Sequence, residues 1–196
     1  ADAREPDAGS APPSGEQPGT EEPTAEPLLR RNAEIYYPSS EEDGLVGEMH
    51  EIFNTATPGD RAKQIIADLI SGPDNPGSLR ALPPATRLRQ VYVLDSGVAY
   101  LDFSADLTEG MGGGSKEEIL AVYAVVNSVA INIPEILRVG ILVNGRTLAT
   151  LNGHLDLRRP LSPDFSLIKG SIIVAWPGEG PVRVASAAAP PGAGAG

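Results

Sequence analysis

The pattern of apolar and polar residues first predicts two strands between residues 34 and 53. Residues 34–37 (EIYY) favour β structure and end at Pro38, and an acidic turn occupies residues 39–44. Residues 45–53 then alternate, imperfectly, between apolar and polar side chains, which is the period of a strand with one buried face. We therefore predict a strand–turn–strand unit at the start of the ordered chain.

A stripe of apolar residues at helical spacing predicts the first helix. Thr57 can cap its first turn, Pro58 suits the first helical position, and Asp60 places an acid near the positive end of the helix dipole. Gly72 and Pro73 end the helix, since Gly tolerates positive φ after a helix and Pro cannot continue one. The stripe consists of Ala62, Ile65, Ile66, Leu69 and Ile70.

A second and wider apolar face, in residues 119–133, predicts the second helix. Ser115 and Glu118 stand before it at the spacing of a capping box. In that arrangement Ser115 accepts a hydrogen bond from the third helical N–H and Glu118 reaches back to the cap. Pro134 ends this helix.

Four further strands are predicted, two before the second helix and two after it. Residues 88–94 and 98–103 flank an Asp-Ser-Gly turn and have the pattern of a hairpin. Residues 136–143 are strongly apolar, and Asn144–Gly145 favours a tight turn into a returning strand at 147–151. The predicted order is β-β-α-β-β-α-β-β. It indicates an α+β fold with an antiparallel or mixed sheet and two helices packed on one of its faces.

Glycine and proline are concentrated at the two ends of the chain. Of 19 prolines in 196 residues, six lie in the first 27 residues, which hold no Val, Ile, Leu, Phe, Tyr or Trp. We predict a disordered, acidic, Pro-rich tether at 1–33, one domain at 34–157, a C-terminal extension at 158–176, and a disordered Pro/Gly/Ala tail at 177–196. The first arm has the composition of a tether between a membrane anchor and a domain, and equally that of a dispensable cytosolic tail.

Charge and residue usage exclude several classes of partner. The chain has 15 basic and 26 acidic residues, a net charge of −11. A duplex-binding protein needs clustered basic residues, so this balance argues against nucleic acid and against direct adsorption to anionic bilayers. With no cysteine, the chain forms no disulfide and holds no thiolate nucleophile or zinc–cysteine site. Residue 1 is Ala, which suggests a processed or trimmed chain from which an export segment is missing.

Five sequence elements follow one another in an order typical of a known family. Residues 69–73 (LISGP) close the first helix, residues 82–83 (LP) follow, and residues 98–107 have the sequence VAYLDFSADL. After the capping box come a Val/Tyr/Asn-rich helix and residues 139–145, VGILVNG. In this order and spacing the chain resembles the GerMN domain family of sporulation, spore-germination and other bacterial envelope proteins, over about residues 34–145.

The resemblance implies a function as well as a fold. GerMN domains are similar in topology to ring-building motifs and appear non-enzymatic, and they occur in exported proteins that a lipoprotein signal or a transmembrane helix anchors near the cell wall. By this resemblance the N-terminal arm is the tether from a missing anchor, and the protein is extracytoplasmic. The family's namesake resembles two such domains in tandem, whereas this chain holds one. The stretch from Arg158 onward has no counterpart in the family pattern.

The two histidines, His50 and His154, are the candidate imidazole bases. Neither accompanies a G-x-S-x-G nucleophile motif, and their spacing is not that of a metal site. His50 shares a predicted strand face with Glu48 and Ile52, and His154 follows an Asn-Gly turn. We interpret both as structural histidines, packed or exposed.

The Gly-rich segment 110–115 precedes a helix, where free N–H groups can bind an anion. It matches neither the P-loop nor the dinucleotide-binding pattern, because Ser115 precedes Lys116 and interrupts the glycine spacing. We interpret the segment as a flexible loop whose Ser115 caps the helix.

Four acids near the second hairpin could form a carboxylate pair or a calcium site: Asp95, Asp102, Asp106 and Glu109. Their spacing is not that of an EF-hand loop. We expect Asp102 on a solvated strand face, because it alternates with Leu101 and Phe103, and Asp106 at the turn that follows the strand.

The apolar run Ser171–Trp176 allows two interpretations. It is either a last strand at the edge of the domain's sheet or a linear segment that adds to the sheet of a partner. We favour the first, because an exposed β-forming segment invites aggregation.

From the sequence we predict a non-catalytic, exported envelope module that binds cell-wall polymer or envelope proteins. We assign no catalytic, cofactor-binding or metal-binding residues, and we expect no cofactor. One alternative is a homo-oligomeric scaffold of the ring-building kind. Another is a peptidoglycan-modifying hydrolase, which would show a concave pocket with two carboxylates ~5–10 Å apart.

Overall fold

The structure, a computed structural model, describes residues 29–174 and 182–185. Residues 1–28 of the tether predicted at 1–33 lie outside the described residues. In chain order the elements are β1 Arg30–Pro38, β2 Leu45–Phe53, α1 Pro58–Ser71, β3 Leu88–Val93, β4 Val98–Phe103, the short α2 Asp106–Glu109, α3 Ser115–Asn132, β5 Arg138–Val143, β6 Arg146–Thr147, one 3-10 turn at Phe165–Leu167, β7 Ser171–Val174 and β8 Val182–Ala185.

The predicted strand–turn–strand unit is a hairpin of β1 and β2, paired antiparallel from Arg30↔Phe53 to Pro38↔Leu45. The first strand begins at Arg30, four residues before the predicted start of the domain at residue 34. Its middle is buried on both faces, including Tyr36 and Tyr37 at 0% exposure. Both faces are buried because α1 and α3 both pack against the hairpin.

The remaining core strands form a mixed sheet in the order β3-β4-β5-β6. The hairpin β3–β4 is antiparallel, whereas β4 and β5 are parallel, with Val98 opposite Arg138 and Phe103 opposite Val143. Helix α3 makes the crossover that a parallel pair requires. The predicted α+β fold with a mixed sheet and two long helices is confirmed. The strands are divided among separate sheets, because the outer edge of β1 bonds to side chains of α3 and not to another strand.

Helix α1 begins and ends as its sequence predicts. The Asp60 N–H donates to the Thr57 hydroxyl, Pro58 is the first helical residue, and Gly72 follows the helix with φ +97°. Helix α3 begins differently. Its cap is Gly114, whose N–H donates to the Glu117 carboxylate at 2.8 Å, so the prediction of a Ser115–Glu118 capping box is wrong by one residue. Ser115 is the first helical residue.

Helix α3 is buried on nearly all sides, which is typical of a helix that is apolar all round. Three of its polar side chains are buried because each satisfies backbone groups. Ser128 Oγ accepts from the Tyr36 N–H at 2.9 Å, and the Asn132 amide bonds to both backbone groups of Glu34. The Asn127 amide pairs in the same way with Asp164, its oxygen accepting from the N–H and its nitrogen donating to the carbonyl, both at 2.9 Å.

The first part of the predicted C-terminal extension packs onto the domain as a strap, defined here as residues 158–169. Leu161 exchanges both backbone hydrogen bonds with Val139 on β5, at 2.8 Å each. The strap then crosses α3 at Asp164 and reaches β2, where the Lys169 N–H donates to the Leu45 carbonyl at 2.7 Å. It therefore joins the two sheets over the helix between them, and Ile168 is 1% exposed.

Two predicted strands differ from the structure. The returning strand predicted at 147–151 is only the pair Arg146–Thr147, because the backbone from residue 151 turns toward α3 instead. The run predicted as an edge strand, 171–176, contributes β7, which pairs with β8 in a separate two-stranded sheet. The strand β8 lies within the predicted disordered tail, 177–196. Residues 175–181 and 186–196 lie outside the described residues.

Candidate functional site

The first candidate base, His50, lies in β2 between two carboxylates. Its Nδ1 is 3.7 Å from Asp68 Oδ2 and its Nε2 is 3.9 Å from Glu48 Oε2, and its side chain is 15% exposed. Glu48 in turn accepts hydrogen bonds from the backbone N–H groups of Asp74 (3.0 Å) and Asn75 (3.3 Å). The cluster thus fastens the turn after α1 to the hairpin, and burial raises the pKa of Asp68.

The second candidate base, His154, is bound to Glu118, a carboxylate of α3 with 0% exposure. Glu118 accepts from the backbone N–H groups of Leu151 (2.9 Å), Asn152 (3.0 Å) and His154 (2.8 Å), and lies 2.9 Å from the ring Nδ1 of His154. Burial opposes ionisation of Glu118, but these hydrogen bonds outweigh it and lower its pKa. Glu118 therefore holds the loop after β6 against α3, and His154 completes that contact.

The Gly-rich segment 110–115 leads into α3, with Gly113 at φ +89°. The carboxylate of Glu117 accepts from its own N–H and from that of Gly114, and these bonds lower its pKa. A carboxylate of the chain itself thus occupies the place that a phosphate would take at this helix start. The segment holds no arrangement that favours a phosphate.

The four acids near the second hairpin are not gathered into one site. Asp102 is 5% exposed, accepts from the Gly145 N–H at 2.7 Å and lies 3.5 Å from the Arg89 guanidinium. The expectation of a solvated Asp102 is wrong, because the β5–β6 turn folds over this residue. Asp106 opens α2 and accepts from the Ser104 hydroxyl at 2.7 Å, at the turn where the sequence places it. Asp95 and Glu109 are exposed.

Among residues 29–174 and 182–185, no three His, Asp or Glu side chains lie close enough together to hold a metal ion.

A largely apolar cleft of about 360 Å³ is called here the proline cleft. It lies between the turn at 79–84, the loop at 110–112 and the first turns of α3. Its apolar lining consists of Pro38, Leu79, Ala81, Leu82, Pro83, Pro84, Met111 and Leu120. Leu79 remains 51% exposed at the mouth. Arg80 braces one wall, because its guanidinium donates to the carbonyls of Ile70 (2.8 Å) and Ser71 (2.7 Å) at the end of α1.

The rim of the proline cleft is charged. Lys116 forms an ion pair there with Asp43, and Glu117 lies beside it at the start of α3. An apolar floor with a few charges at the edge is the usual composition of a binding site for an amphipathic ligand.

A second concave surface, called here the carboxylate groove, has a volume of about 450 Å³ and lies between the start of α1 and β3. Its walls include Asp60, Asp95 and Glu135, the kind of cluster that a hydrolase would need. Hydrogen bonds from Lys63 (2.9 Å) and Thr57 (2.7 Å) lower the pKa of Asp60.

The pKa of Glu135 is also lowered. Burial opposes ionisation of Glu135, but the hydrogen bond from Arg61, a backbone hydrogen bond and the positive charges of Arg61 and Arg31 together outweigh burial. A glycosidase general acid needs a raised pKa, so the environments of Asp60 and Glu135 are opposite to the one required.

The sequence also matches a family model. The model for the Germane family, described as sporulation and spore germination, matches residues 34–149, which is more than half of the chain. The chain belongs to this family. It is the GerMN domain family that the sequence resembles, and the match ends before the strap.

Solved structures share the GerMN fold with this chain. The first GerMN domain of the sporulation protein GerM from Bacillus subtilis is 21% identical, with a TM-score of 0.53 over 68% of this chain and 96% of that one. The tandem GerMN domains of the same protein are 20% identical, with a TM-score of 0.56 over 67% of this chain. This chain covers 46% of the tandem protein, about half of its length.

A protein from Clostridium perfringens, described as a lipoprotein, has the same fold. It is 22% identical, with a TM-score of 0.50 over 69% of this chain and 87% of that one. No curated protein matches the sequence. Among the residues that the structure describes, the helices are all too short or too polar to cross a membrane.

The residues of the proline cleft were missed by the sequence analysis as a site. In the sequence, Leu82 and Pro83 are recognised only as part of the family pattern. The glycines at 110–114 are recognised only as a candidate phosphate-binding site. The only signal in the sequence is the presence of two Gly/Pro-rich turns, and nothing local in the sequence shows that these turns meet.

Proposed function

We propose that this GerMN domain is a non-catalytic, exported module of the bacterial cell envelope that binds a wall-associated partner. Three observations support the proposal. The family is one of sporulation and spore germination, a structural neighbour is described as a lipoprotein, and the N-terminal arm has the composition of a tether. On this proposal the domain acts outside the membrane to which its arm is fixed.

The observation that carries the binding role is the proline cleft. One wall is fixed by Arg80 and another by the cap of α3 at Glu117, so the cleft exists before a ligand arrives. Its mouth keeps Leu79 about half exposed, and the burial of such a side chain by a ligand is favourable by about 25 cal/mol per Å². A preformed apolar cleft loses little conformational entropy on binding.

The lining of the cleft favours a peptide over a glycan as the ligand. Its apolar side chains in the described part of the chain are aliphatic, methionine or proline, with no aromatic ring on which a sugar could stack. Lys116 and Glu117 at the rim can bond to peptide groups or to charged ends of a peptide. We therefore propose that the ligand is a protein segment or the peptide stem of the wall polymer.

Co-sedimentation of the full chain with insoluble peptidoglycan sacculi, with mass spectrometry of the supernatant, tests this proposal. We compare the wild type with Leu79→Asp, at the cleft, and with Met49→Asp, a residue of the same exposure (50% against 51%) outside it. We expect the wild type and Met49→Asp to pellet without release of muropeptides, and Leu79→Asp to remain in solution.

Three results would count against parts of the proposal. Release of muropeptides by the wild type, and not by a heat-denatured sample, would contradict a non-catalytic role. A chain that stays in the supernatant with intact sacculi would exclude the wall polymer and leave an envelope protein as the ligand. Equal loss of binding in both variants would place the site elsewhere than the proline cleft.

A further inference from the structure

Several positions on the sheet edges of the described residues are covered by side-chain amides or by the strap. On β1, the side-chain amide of Asn132 accepts from the Glu34 N–H at 2.8 Å and donates to the Glu34 carbonyl at 2.7 Å. At the end of β2, the Gln64 amide does the same for Phe53, at 2.8 and 3.1 Å. Each amide takes the place of a neighbouring strand, which is one way in which proteins protect exposed edges.

The outer side of β5 is covered as well. The two residues of β6 pair with its end, and Leu161 of the strap exchanges both backbone hydrogen bonds with Val139 near its start. The mixed sheet is thus closed on this side by its own chain. The strand at the opposite end of the sheet is β3.

Among residues 29–174 and 182–185, no strand or loop forms backbone hydrogen bonds with the outer edge of β3. The Leu94 N–H donates to the Val98 carbonyl at 2.9 Å, so Leu94 points its backbone groups toward β4. The direction of the backbone N–H and C=O groups alternates along an antiparallel strand. The backbone groups of Tyr92 therefore also face β4, whereas those of Val91 and Val93 point outward. Within the described part of the chain, these outward groups bond to no other residue.

This edge also lacks the usual protective residues. Residues 90–94 contain no charged side chain and no proline, and the bulge at Arg89 disturbs only the start of the strand. Tyr92 and Leu94 are each 49% exposed. Beside the edge, Val91 and Val93 form an apolar wall of the carboxylate groove, with room for further side chains.

We propose that β3 pairs antiparallel with β3 of a second copy of this chain, about a two-fold axis at Tyr92. The open groups of Val91 and Val93 are symmetric about Tyr92, so each Val91 meets Val93 of the other copy and exchanges both hydrogen bonds with it. The two mixed sheets become one continuous sheet. The Tyr92 rings face each other, and such cross-strand aromatic pairs stabilise sheets.

The charge distribution favours a second copy as the occupant. A chain with a net charge of −11 repels another copy over most of its surface, but the five residues that meet here are uncharged. In this register Arg89 of one copy lies opposite Asp95 of the other, so the charges that flank the five uncharged residues are complementary. The pair is closed by its own symmetry and does not propagate, in contrast to the ring expected of a ring-building scaffold. Added salt screens the remaining repulsion and should strengthen the pair.

The absence of cysteine from the chain permits a direct test with the full-length protein. Tyr92→Cys places one thiol on the proposed axis, where Cβ atoms of a facing pair lie ~4.5–5.5 Å apart and can be bridged by a disulfide. Met49→Cys, with 50% exposure on β2, is the matched control. We expect rapid formation of a disulfide-linked dimer under mild oxidation for Tyr92→Cys and only slow, collisional dimer for Met49→Cys.

Sedimentation of the wild type provides the second measurement. We expect a monomer–dimer equilibrium that shifts toward dimer as salt is added. Val93→Pro removes an outward N–H that the ladder to β4 does not use, and should weaken the dimer on the order of tenfold. If Val93→Pro does not fold, Tyr92→Lys sets two ammonium groups face to face for the same purpose. Leu79→Asp, in the proline cleft, should leave the dimer unchanged.

Two results would overturn the proposal. One is a wild type that remains monomeric up to ~1 mM protein at every salt concentration. The other is a Tyr92→Cys variant that cross-links no faster than Met49→Cys. Neither result bears on binding at the proline cleft, so failure of this proposal is distinct from failure of the proposed function.

Discussion

The ring of Tyr100 on β4 lies directly against Gly140, its register partner on β5. A Cβ atom at residue 140 would stand 2.5 Å from Tyr100 Cδ1 and 2.6 Å from Cε1, much closer than real contacts allow. Glycine in a strand interior weakens the strand unless another group approaches closely, and here the tyrosine ring does. Because Gly140 does not have positive φ, the requirement for glycine is one of space and not of backbone conformation.

Gly140→Ala should therefore destabilise the fold by about 1–3 kcal/mol, the usual cost of an added methyl in a packed site. Urea unfolding of the purified protein measures the change. Gly140→Ala combined with Tyr100→Ala should recover part of the loss, because the clash requires both side chains. If the two changes were simply additive, the ring would not be the group that excludes a Cβ.

Asn132→Leu should destabilise the protein strongly, because it removes the amide that bonds to both backbone groups of Glu34 on a buried strand. Leaving buried backbone groups without their partners costs about 1–3 kcal/mol for each group. Asn152→Leu is the matched control, since the Asn152 amide bonds to the Gly113 carbonyl at an exposed position. Similar losses for the two variants in denaturant unfolding would contradict the importance of the edge on β1.

The buried Glu118 should make the fold sensitive to acid. Although burial opposes its ionisation, hydrogen bonds from residues 151–154 hold its pKa below the ordinary 4.5. A depressed pKa in the folded state contributes stability above the unfolded-state value, and this contribution is lost as the pH falls through the folded-state value. Glu118→Gln should therefore cost about 2–4 kcal/mol near neutral pH, with a difference from wild type that shrinks at lower pH.

Unfolding in urea at pH 7 and at successively lower pH values measures this difference. Glu109→Gln, a change at an exposed acid on α2, serves as the control and should leave the wild-type pH profile in place. A Glu118→Gln variant whose loss of stability did not vary with pH would show that the charge of Glu118 is immaterial to the fold.

The strap can be tested at two residues that lie three positions apart. Ile168 is 1% exposed and Phe165 is 47% exposed. Ile168→Ala should cost about 2–5 kcal/mol, as for other buried aliphatic residues, whereas Phe165→Ala should cost much less. Thermal unfolding distinguishes them. Equal and small effects would mean that the strap, although packed, adds little to the stability of the domain.

Most single elements of the fold could be predicted from the sequence because their signals are local. The Thr57–Pro58 opening, the helix end at Gly72 and the hairpin at residues 88–103 depend on residues close together in the chain. The arrangement of strands into sheets could not be predicted, because it depends on contacts such as that of Asn132 with Glu34, 98 residues apart. No periodicity shows that a buried amide will replace a strand.

The errors at the candidate sites have the same origin. The cap of α3 is one residue earlier than predicted, and one residue corresponds to about 100° around the helix. Glu118 therefore faces the buried loop and does not reach the cap. Asp102 alternates with apolar neighbours as a solvated residue would, but the turn at Gly145 covers it. The proline cleft was not predicted because its walls come from three separate segments that only the fold brings together.

The strap also determines how the domain would respond to mechanical load. It ends at Leu45, at the turn end of the β1–β2 hairpin, whereas the chain enters β1 at the opposite end, beside Phe53. Force applied between Leu29 and Lys169 therefore runs along the hairpin and shears its register pairs together. Force applied between Leu29 and Asn54 would open them one after another, so we expect rupture at a much lower load in that direction.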